Sequence, residues 1–267
     1  MLTILIRGSG DIASAVAHKL KLERYSPVLH ESPLPSTTRR KMAFTDAVFD
    51  GSASLAGLEA RRIDDLSTLP AALVSGQFIP LLTCDFELLL ERLRPAVLVD
   101  ARMRKHQQPE NQRLLAPLTI GLGPNFIAGG NVDLAVETGR GDLLGQIITS
   151  GGTRPLQGEP VEMDGHARDR YVYAPVAGLF HTTCQVGEAV SQGQLIANID
   201  GTELFAPLSG VLRGLTHEGV PVAARTKVIE IDPRGAQAQV SGIAARPEII
   251  ARAVLMALEL PPAGSNS

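Results

Sequence analysis

Short apolar runs alternate with amphipathic stretches in the first hundred residues of the chain. The first run leads directly into a glycine turn, after which apolar residues recur at helical spacing. A second amphipathic stretch, residues 86–93, follows Asp85, a residue type that commonly caps helices. Four strands are expected here, at residues 2–6, 27–30, 79–83 and 96–99. Because strands that alternate with helices are typical of a parallel sheet, this part is predicted to be α/β.

The pattern changes in the C-terminal half, where one stretch of sequence occurs twice. Residues 174–179 (APVAGL) return 32 residues later as 206–211 (APLSGV), and Gly187 matches Gly219 at the same offset. A period of this size indicates a repeated supersecondary unit. Two copies are too few for a solenoid, so the halves are predicted to close on each other as one small β-domain.

Each copy resembles one hammerhead of the biotinyl/lipoyl family, in which two hammerheads form a barrel-sandwich hybrid. That family often carries a swinging cofactor on a lysine in the hairpin between the halves. The hairpin here, residues 200–205 (DGTELF), has no lysine, and Lys227 falls inside the second copy. The resemblance therefore implies an all-β domain without covalent biotin or lipoyl.

The turn after the first strand reads GSGDIA over residues 8–13, a G-x-G-x-x-A pattern between a strand and a helix. In a dinucleotide-binding fingerprint the first glycine allows the tight turn and the second lets the backbone approach a pyrophosphate, while helix N–H groups face the phosphates. A carboxylate about 20 residues on would bind a ribose. The residues assigned to this site are Gly8, Ser9, Gly10, Asp11, Ala13 and Glu31. The alternative is a glycine turn in a related fold that binds another ligand or none.

Further polar residues are expected at the same edge of the sheet, where ligands of parallel sheets bind. Arg39 and Arg40 are candidates for clamping an anionic group, or else a solvated pair that opens a helix. Asp100 and Arg102, after the fourth strand, are candidate ligand contacts, with capping or internal pairing as the alternative. Lys105 is a further candidate anion contact.

The stretch from residue 117 to residue 152 is rich in glycine. Gly121, Gly123 and Asn125 belong to a loop whose exposed backbone suits a phosphate or a flat ligand. Glycines this frequent also occur in simple tight turns, so both interpretations stand.

Composition narrows the functional classes. The 267 residues carry a net charge of −3, which gives no reason to expect binding to nucleic acid or a membrane. The two cysteines are far apart in sequence and suit a reducing cytosol, so a cytoplasmic protein is expected. A lone H-x-x-C at residues 181–184 lacks the second half of a zinc site, and no metal is expected.

Several motifs occur together along the chain: RGSGDIAS at 7–14, Arg39-Arg40 with Phe44 and Asp50-Gly51, VDAR at 99–102 with Lys105, IGLGPNF at 120–126, VETGRG at 136–141 and IDPRG at 231–235. In this combination they resemble a known family, the accessory proteins of selenium-dependent molybdenum hydroxylase systems (YqeB-like). The resemblance covers nearly the whole chain to about residue 258, and it implies a role beside xanthine dehydrogenase-like enzymes in cofactor maturation or insertion.

The sequence thus predicts an α/β protein with an N-terminal Rossmann-like parallel sheet and a C-terminal all-β barrel-sandwich hybrid. The expected division is a nucleotide-binding domain at 1–115, a glycine-rich junction at 116–169, the hybrid domain at 170–238, a helix at 239–260 and a disordered tail at 261–267.

Three functions follow from this division. The first is a maturation protein that binds a nucleotide or pterin-nucleotide cofactor, with a molybdenum hydroxylase or its maturation machinery as partner. The second is an NAD(P)-dependent oxidoreductase, and the third is a non-catalytic scaffold that docks a partner enzyme. No catalytic residue is assigned, and the sequence leaves homo-oligomer formation open.

Overall fold

The computed structural model describes residues 2–104, 107–155, 158 and 160–260. Its helices are α1 (Asp11–Leu22), α2 (Ala47–Asp50), α3 (Leu69–Ser75), α4 (Phe86–Leu93) and α5 (Ala245–Ala257). Short 3-10 turns lie at Arg40–Met42, Leu66–Thr68, Arg168–Arg170 and Gly235–Gln237. The predicted N-terminal cap of the helix at 86–93 is confirmed, since the Asp85 carboxylate accepts a hydrogen bond from the Leu88 N–H at 2.9 Å.

One nine-stranded sheet contains most of the first 150 residues. The strands in this stretch are β1 (Thr3–Arg7), β2 (Ser26–His30), β3 (Ser52–Leu55), β4 (Leu58–Arg62), β5 (Ile79–Leu82), β6 (Val97–Asp100), β7 (Leu118–Leu122), β8 (Ile127–Ala128), β9 (Leu134–Val136), β10 (Ile147–Ile148) and β11 (Gly151–Gly152). The large sheet has the order β10-β9-β7-β6-β1-β2-β5-β4-β3, and β8 pairs with β11 separately.

The order of the large sheet reverses between β1 and β6. From β1 the chain adds strands on one side through β2 and β5, and then crosses to the other side to add β6, β7 and β9. All of these pairings are parallel, so the carboxyl ends of β1, β2, β5, β6, β7 and β9 share one edge. In open parallel sheets that edge, at the point of reversal, is where ligands bind.

Alternation along β1 assigns the two faces of this sheet. Ile4 and Ile6 pack into a core shared with α1 and α5, whereas Leu5 packs on the other face with Leu89 of α4. These side chains are fully buried, and burial of each contributes about 1.5–3 kcal/mol relative to exposure.

The C-terminal strands form two antiparallel four-stranded sheets around one apolar core. Their orders are β12-β19-β17-β14 and β16-β15-β13-β18. The strands are β12 (Tyr171–Tyr173), β13 (Gly178–His181), β14 (Ala189–Val190), β15 (Leu195–Ile199), β16 (Thr202–Phe205), β17 (Gly210–Leu215), β18 (Val220–Val222) and β19 (Lys227–Asp232). The halves of the repeat exchange strands, because β14 of the first half pairs with β17 and β18 of the second half pairs with β13.

The predicted fold class, a Rossmann-like parallel sheet plus a biotinyl/lipoyl-like barrel-sandwich hybrid, is wrong. The large sheet is mixed, since β3 and β10 join it antiparallel, and the glycine-rich stretch contributes β7, β9 and β10 to it. Across the described ranges the chain forms four separate sheets, and none closes into a barrel. The strands of that stretch are only two to five residues long and are separated by turns rich in glycine. The sequence pattern therefore did not predict them.

No helix in the described ranges has the length and apolar character needed to cross a membrane. The predicted disordered tail, 261–267, and the candidate Lys105 lie outside the described residues.

Candidate ligand-binding site

The glycine turn after β1 has the tight geometry that the sequence predicts. Gly8 adopts φ +110°, and a Cβ there would lie 3.1 Å from the Ala101 carbonyl oxygen. Its N–H donates to the His30 carbonyl oxygen at 2.7 Å. Only glycine combines this backbone conformation with this close approach.

The turn is hydrogen-bonded largely to the protein itself. The Ser9 N–H and hydroxyl donate to one Glu31 carboxylate oxygen at 2.7 and 2.9 Å. The Ser9 carbonyl oxygen accepts from the Ser14 and Thr45 hydroxyls at 2.8 and 2.7 Å. The predicted ribose ligand, Glu31, therefore holds the turn, and Ala13 lies buried in α1. Gly10 stays open, because the nearest atom to a Cβ there would be the Thr37 hydroxyl oxygen at 4.0 Å.

The paired arginines serve internal contacts. Arg39 donates to Asp11 at 3.1 Å and, through Nε and Nη2, to both carboxylate oxygens of Glu230 at 3.2 and 3.1 Å. It thereby joins the start of α1 to β19. Arg40 pairs with Asp46 at 2.6 Å. Neither guanidinium is free to clamp a ligand by itself, and the two do not form the solvated pair of the alternative either, because both side chains are mostly buried in ion pairs.

Glu230 is fully buried and is the centre of a charge cluster between the large sheet and the C-terminal sheets. Besides Arg39, its carboxylate accepts from Arg170 at 2.9 Å, from Arg213 at 2.8 Å and from Lys227 at 2.8 Å. Burial by itself raises the pKa of Glu230, but Lys227 and Arg39 outweigh it and hold that pKa well below the ordinary value.

Two more arginines lie beside this cluster and have no carboxylate partner among the described residues. Arg140, which follows β9, is exposed and has no hydrogen bond or ion pair with the described residues. Arg246, at the start of α5, donates only to the Thr138 carbonyl oxygen, at 3.0 Å. Loss of hydration lowers the pKa of both, and the charge of Arg39 lowers each further. The Asp11 and Glu137 carboxylates oppose this for Arg246 and raise its pKa, although neither forms an ion pair with it. We call Arg140, Arg246, Glu230 and the cations that contact Glu230 the junction cluster.

A second charged group lies where β1 and β6 end. Arg102 forms an ion pair with Asp100, which also accepts from the Gln112 amide at 2.6 Å. Glu110 accepts from Arg7 and Arg102, each at 2.6 Å, and from Arg104. Burial raises the pKa of Glu110, but the hydrogen bonds from Arg102 and Arg104 outweigh it and hold that pKa well below the ordinary value.

The predicted backbone loop of the glycine-rich stretch is held by packing. A Cβ on Gly121 would lie 2.2 Å from the Phe126 ring, and one on Gly123, at φ +100°, would lie 3.0 Å from the Thr138 hydroxyl. Asn125 donates its amide to the Gln107 carbonyl oxygen at 3.0 Å. These residues therefore line no open cradle, because Gly121 makes room for the Phe126 ring within β7 and Gly123 adopts a turn conformation.

Sequence reasoning missed Arg7, Glu110, Glu230 and Arg246. For Glu230 a signal existed, since it interrupts the apolar strand KVIEID and its alternation with Asp232 puts both carboxylates on one face. The cysteines, Cys84 and Cys184, are unpaired. Within the described ranges, no group of three or more His, Cys, Asp or Glu side chains is placed to hold a metal.

Comparison with known proteins identifies one clear relative. The chain is 37% identical over 255 residues to "Uncharacterized protein YqeB" of Escherichia coli (strain K12). The alignment covers 96% of this chain but 47% of that protein, so the chain spans about half the length of this relative. The sequence-based resemblance to YqeB-like proteins agrees with this match. No family model matches the chain.

Solved structures show only a loose likeness. A succinylglutamate desuccinylase/aspartoacylase from Rhodobacter sphaeroides matches 54% of this chain and 59% of its own at 20% identity and a TM-score of 0.23. The ectoine utilization protein EutE (DoeB) from Ruegeria pomeroyi matches 86% and 85%, at 13% identity and a TM-score of 0.27. A succinylglutamate desuccinylase from Silicibacter sp. TM1040 matches 86% and 84%, at 18% identity and a TM-score of 0.25.

None of these neighbours is named as a molybdenum hydroxylase accessory protein or as a biotinyl or lipoyl carrier, so they lend no support to that classification. Its biotinyl/lipoyl-like part is corrected together with the fold class, because none of the described sheets closes into a barrel. At such TM-scores the likeness assigns no activity to this chain.

Proposed function

We propose that the protein binds a nucleotide or pterin nucleotide non-covalently and that the phosphates of this ligand contact the junction cluster. The observation that carries the proposal is the pair of arginines, Arg140 and Arg246, that have no carboxylate partner beside a cluster whose carboxylates are already engaged. Guanidinium groups suit phosphate because they present several N–H donors in one plane.

Charge counting within the junction cluster favours an anionic ligand. Among the described residues in this cluster or beside it, the cations are Arg39, Arg140, Arg170, Arg213, Lys227, Arg234 and Arg246, and the carboxylates are Asp11, Glu137, Glu230 and Asp232. Glu137 is engaged by backbone N–H groups, accepting from Gly139 at 2.6 Å and from Arg154 at 2.7 Å. Positive charge is therefore in excess, and a phosphate-bearing ligand would reduce the repulsion among the arginines.

The position of the cluster suits the rest of such a ligand. It adjoins the start of α1, because Asp11 contacts Arg39, and there the chain leaves Gly10 open. It also adjoins the loop after β9, at the carboxyl edge of the parallel strands. The proposal puts the base or pterin ring beside Gly10, where an added Cβ would meet no atom of the described residues closer than the Thr37 hydroxyl oxygen at 4.0 Å, and the phosphates at Arg140 and Arg246.

The test is a thermal-shift and calorimetric panel of ATP, CTP, GTP, NAD, NADP and a pterin nucleotide, run on the protein and on Arg140→Gln. A ligand that binds the folded state raises the Tm. We expect saturable binding of at least one nucleotide and at least a tenfold loss of affinity in Arg140→Gln. Arg252→Gln is the matched control, because Arg252 is exposed on α5 and, among the described residues, forms its ion pair with Glu248 alone.

Each outcome of the panel has a distinct meaning. No Tm rise with any ligand refutes the proposal. Equal nucleotide affinity in Arg140→Gln and Arg252→Gln would mean that the nucleotide binds outside the junction cluster. Binding confined to NAD or NADP favours the oxidoreductase alternative and calls for a search for a reducible substrate.

The further step, that the loaded protein serves a molybdenum hydroxylase, is proposed from the family resemblance of the sequence motifs. Its test is transfer: the protein loaded with pterin nucleotide is mixed with a cofactor-free xanthine dehydrogenase-like enzyme, and the cofactor content of that enzyme is measured. No transfer above that from free pterin nucleotide would contradict this step while leaving ligand binding intact.

A further inference from the structure

Three arginines converge on one carboxylate at the carboxyl edge of the large sheet. Arg7 and Arg102 each donate to the same oxygen of Glu110 at 2.6 Å, and Arg104 donates to the other oxygen. We call Arg7, Arg102 and Arg104 the arginine cradle. An exposed glutamate gains little stability from ion pairs. Three arginines around one exposed carboxylate are therefore not explained by that carboxylate alone.

The cradle lies where ligand sites of parallel sheets occur. Arg7 is the last residue of β1, and Arg102 follows the end of β6 by two residues. These strands are neighbours, with Arg7 opposite Asp100, and the order of the sheet reverses between them. The guanidinium of Arg7 also lies 3.7 Å from the centroid of the Phe86 ring, which supports its orientation.

The cradle and its occupant differ in burial. The Arg7 and Arg102 side chains are 10% and 20% exposed, whereas those of Arg104 and Glu110 are 35% and 45% exposed. The buried Nε of Arg7 has no acceptor among the described residues, and the buried amide oxygen of Gln112, itself an acceptor, has no donor. Because buried donors normally find acceptors, the unsatisfied N–H of Arg7 favours a further anionic acceptor beside the cradle.

We propose that the arginine cradle binds a phosphate group, free or as a monoester, and that Glu110 occupies this site in its absence. Asp100 compensates one of the three positive charges through Arg102. The two that remain match a phosphate dianion, whereas the carboxylate of Glu110 leaves one uncompensated. Displacement requires only that the exposed Glu110 side chain turn toward solvent, where it is readily hydrated.

This site is independent of the junction cluster, since the two share no residue. The experiment uses the Arg140→Gln variant as parent, so that phosphate binding at the junction cluster does not contribute. Calorimetry measures the affinity for inorganic phosphate and for methyl phosphate at constant ionic strength. Comparison of the two probes separates free phosphate from a monoester as the natural source.

Removal of the internal competitor should strengthen binding. We expect Glu110→Gln to bind phosphate at least tenfold more tightly than the parent, and Arg104→Gln, added to it, to reverse the gain. Glu59→Gln is the matched control, because Glu59 is an exposed carboxylate held by a single arginine, Arg61, on β4. It should leave the phosphate affinity unchanged.

Two results would overturn the proposal. One is equal phosphate affinity in Glu110→Gln and Glu59→Gln, and the other is a gain that Arg104→Gln does not reverse. If Glu110→Gln fails to fold by circular dichroism, Arg104→Gln alone decides, because it must lower the affinity of the parent for phosphate. Failure of nucleotide binding in the panel above leaves this result untouched.

Discussion

Replacement of Glu230 by glutamine tests whether one buried carboxylate holds the two parts of the chain together. Both of its oxygens accept hydrogen bonds from cations, with Arg170 and Arg213 on one and Lys227 on the other. Arg39 donates to both. A glutamine can offer only one oxygen, so its NH2 group must face at least one cationic donor in either orientation.

The expected cost follows from this geometry. Removal of one partner of a buried ion pair leaves the other charges uncompensated and typically costs about 3–5 kcal/mol. Here four cations lose their shared anion, so we expect the free energy of unfolding to fall by roughly that amount. This is a large part of the about 5–15 kcal/mol that stabilises a typical protein.

Urea denaturation followed by circular dichroism measures the effect, with Glu203→Gln as the control. Glu203 lies on β16 of the same half of the chain, but it is exposed. Its replacement should change the free energy of unfolding by less than about 0.5 kcal/mol. A loss below about 1 kcal/mol in Glu230→Gln would refute the reasoning, since it would mean that the cations find other anions or water.

Two further predictions concern acid and the glycine turn. Because the pKa values of Glu230, Glu110 and Asp232 are lowered by folding, their stabilisation is present above the unfolded pKa, about 4, and is lost as the pH falls below it. Unfolding measured between pH 6 and pH 3 should show this decline, and an equal slope in Glu230→Gln would contradict it. In urea denaturation, Gly8→Ala should lower the free energy of unfolding by about 1–3 kcal/mol. Gly51→Ala should lower it less, because Gly51 also has a positive φ but a Cβ there would meet no close atom among the described residues. Equal losses would exclude the contact with Ala101 as a cause.

Local features were predictable from the sequence, because a few neighbouring residues determine them. The Asp85 cap, the strand predicted at 96–99 and observed at 97–100, and the turn at Gly8 each depend on signals within about ten residues. The sequence also places Arg39 near Asp11 at one edge of the sheet. Its partner Glu230, however, lies 191 residues away, and no local pattern could predict that pair.

The prediction of the fold class was wrong for a related reason. Strand β9 has three residues and β10 has two. They are strands only because of their partners, since β9 pairs with β7 and β10 pairs with β9. Likewise, Glu110 meets Arg7 across 103 residues. The candidate sites are therefore formed by long-range contacts, whereas the motifs that drew attention to this edge, such as Gly8–Gly10, mainly shape its backbone.

The strand exchange between the halves of the repeat has a consequence for how they fold. Residues 174–205 supply β14 to the sheet of the second half, and residues 206–232 supply β18 to the sheet of the first half. Neither half can complete both of its sheets without the other. The two halves therefore form one cooperative unit, and neither is expected to fold alone as a monomer. A peptide of one half should accordingly pair with a second copy or remain unfolded, and a folded monomer in sedimentation analysis would contradict this dependence.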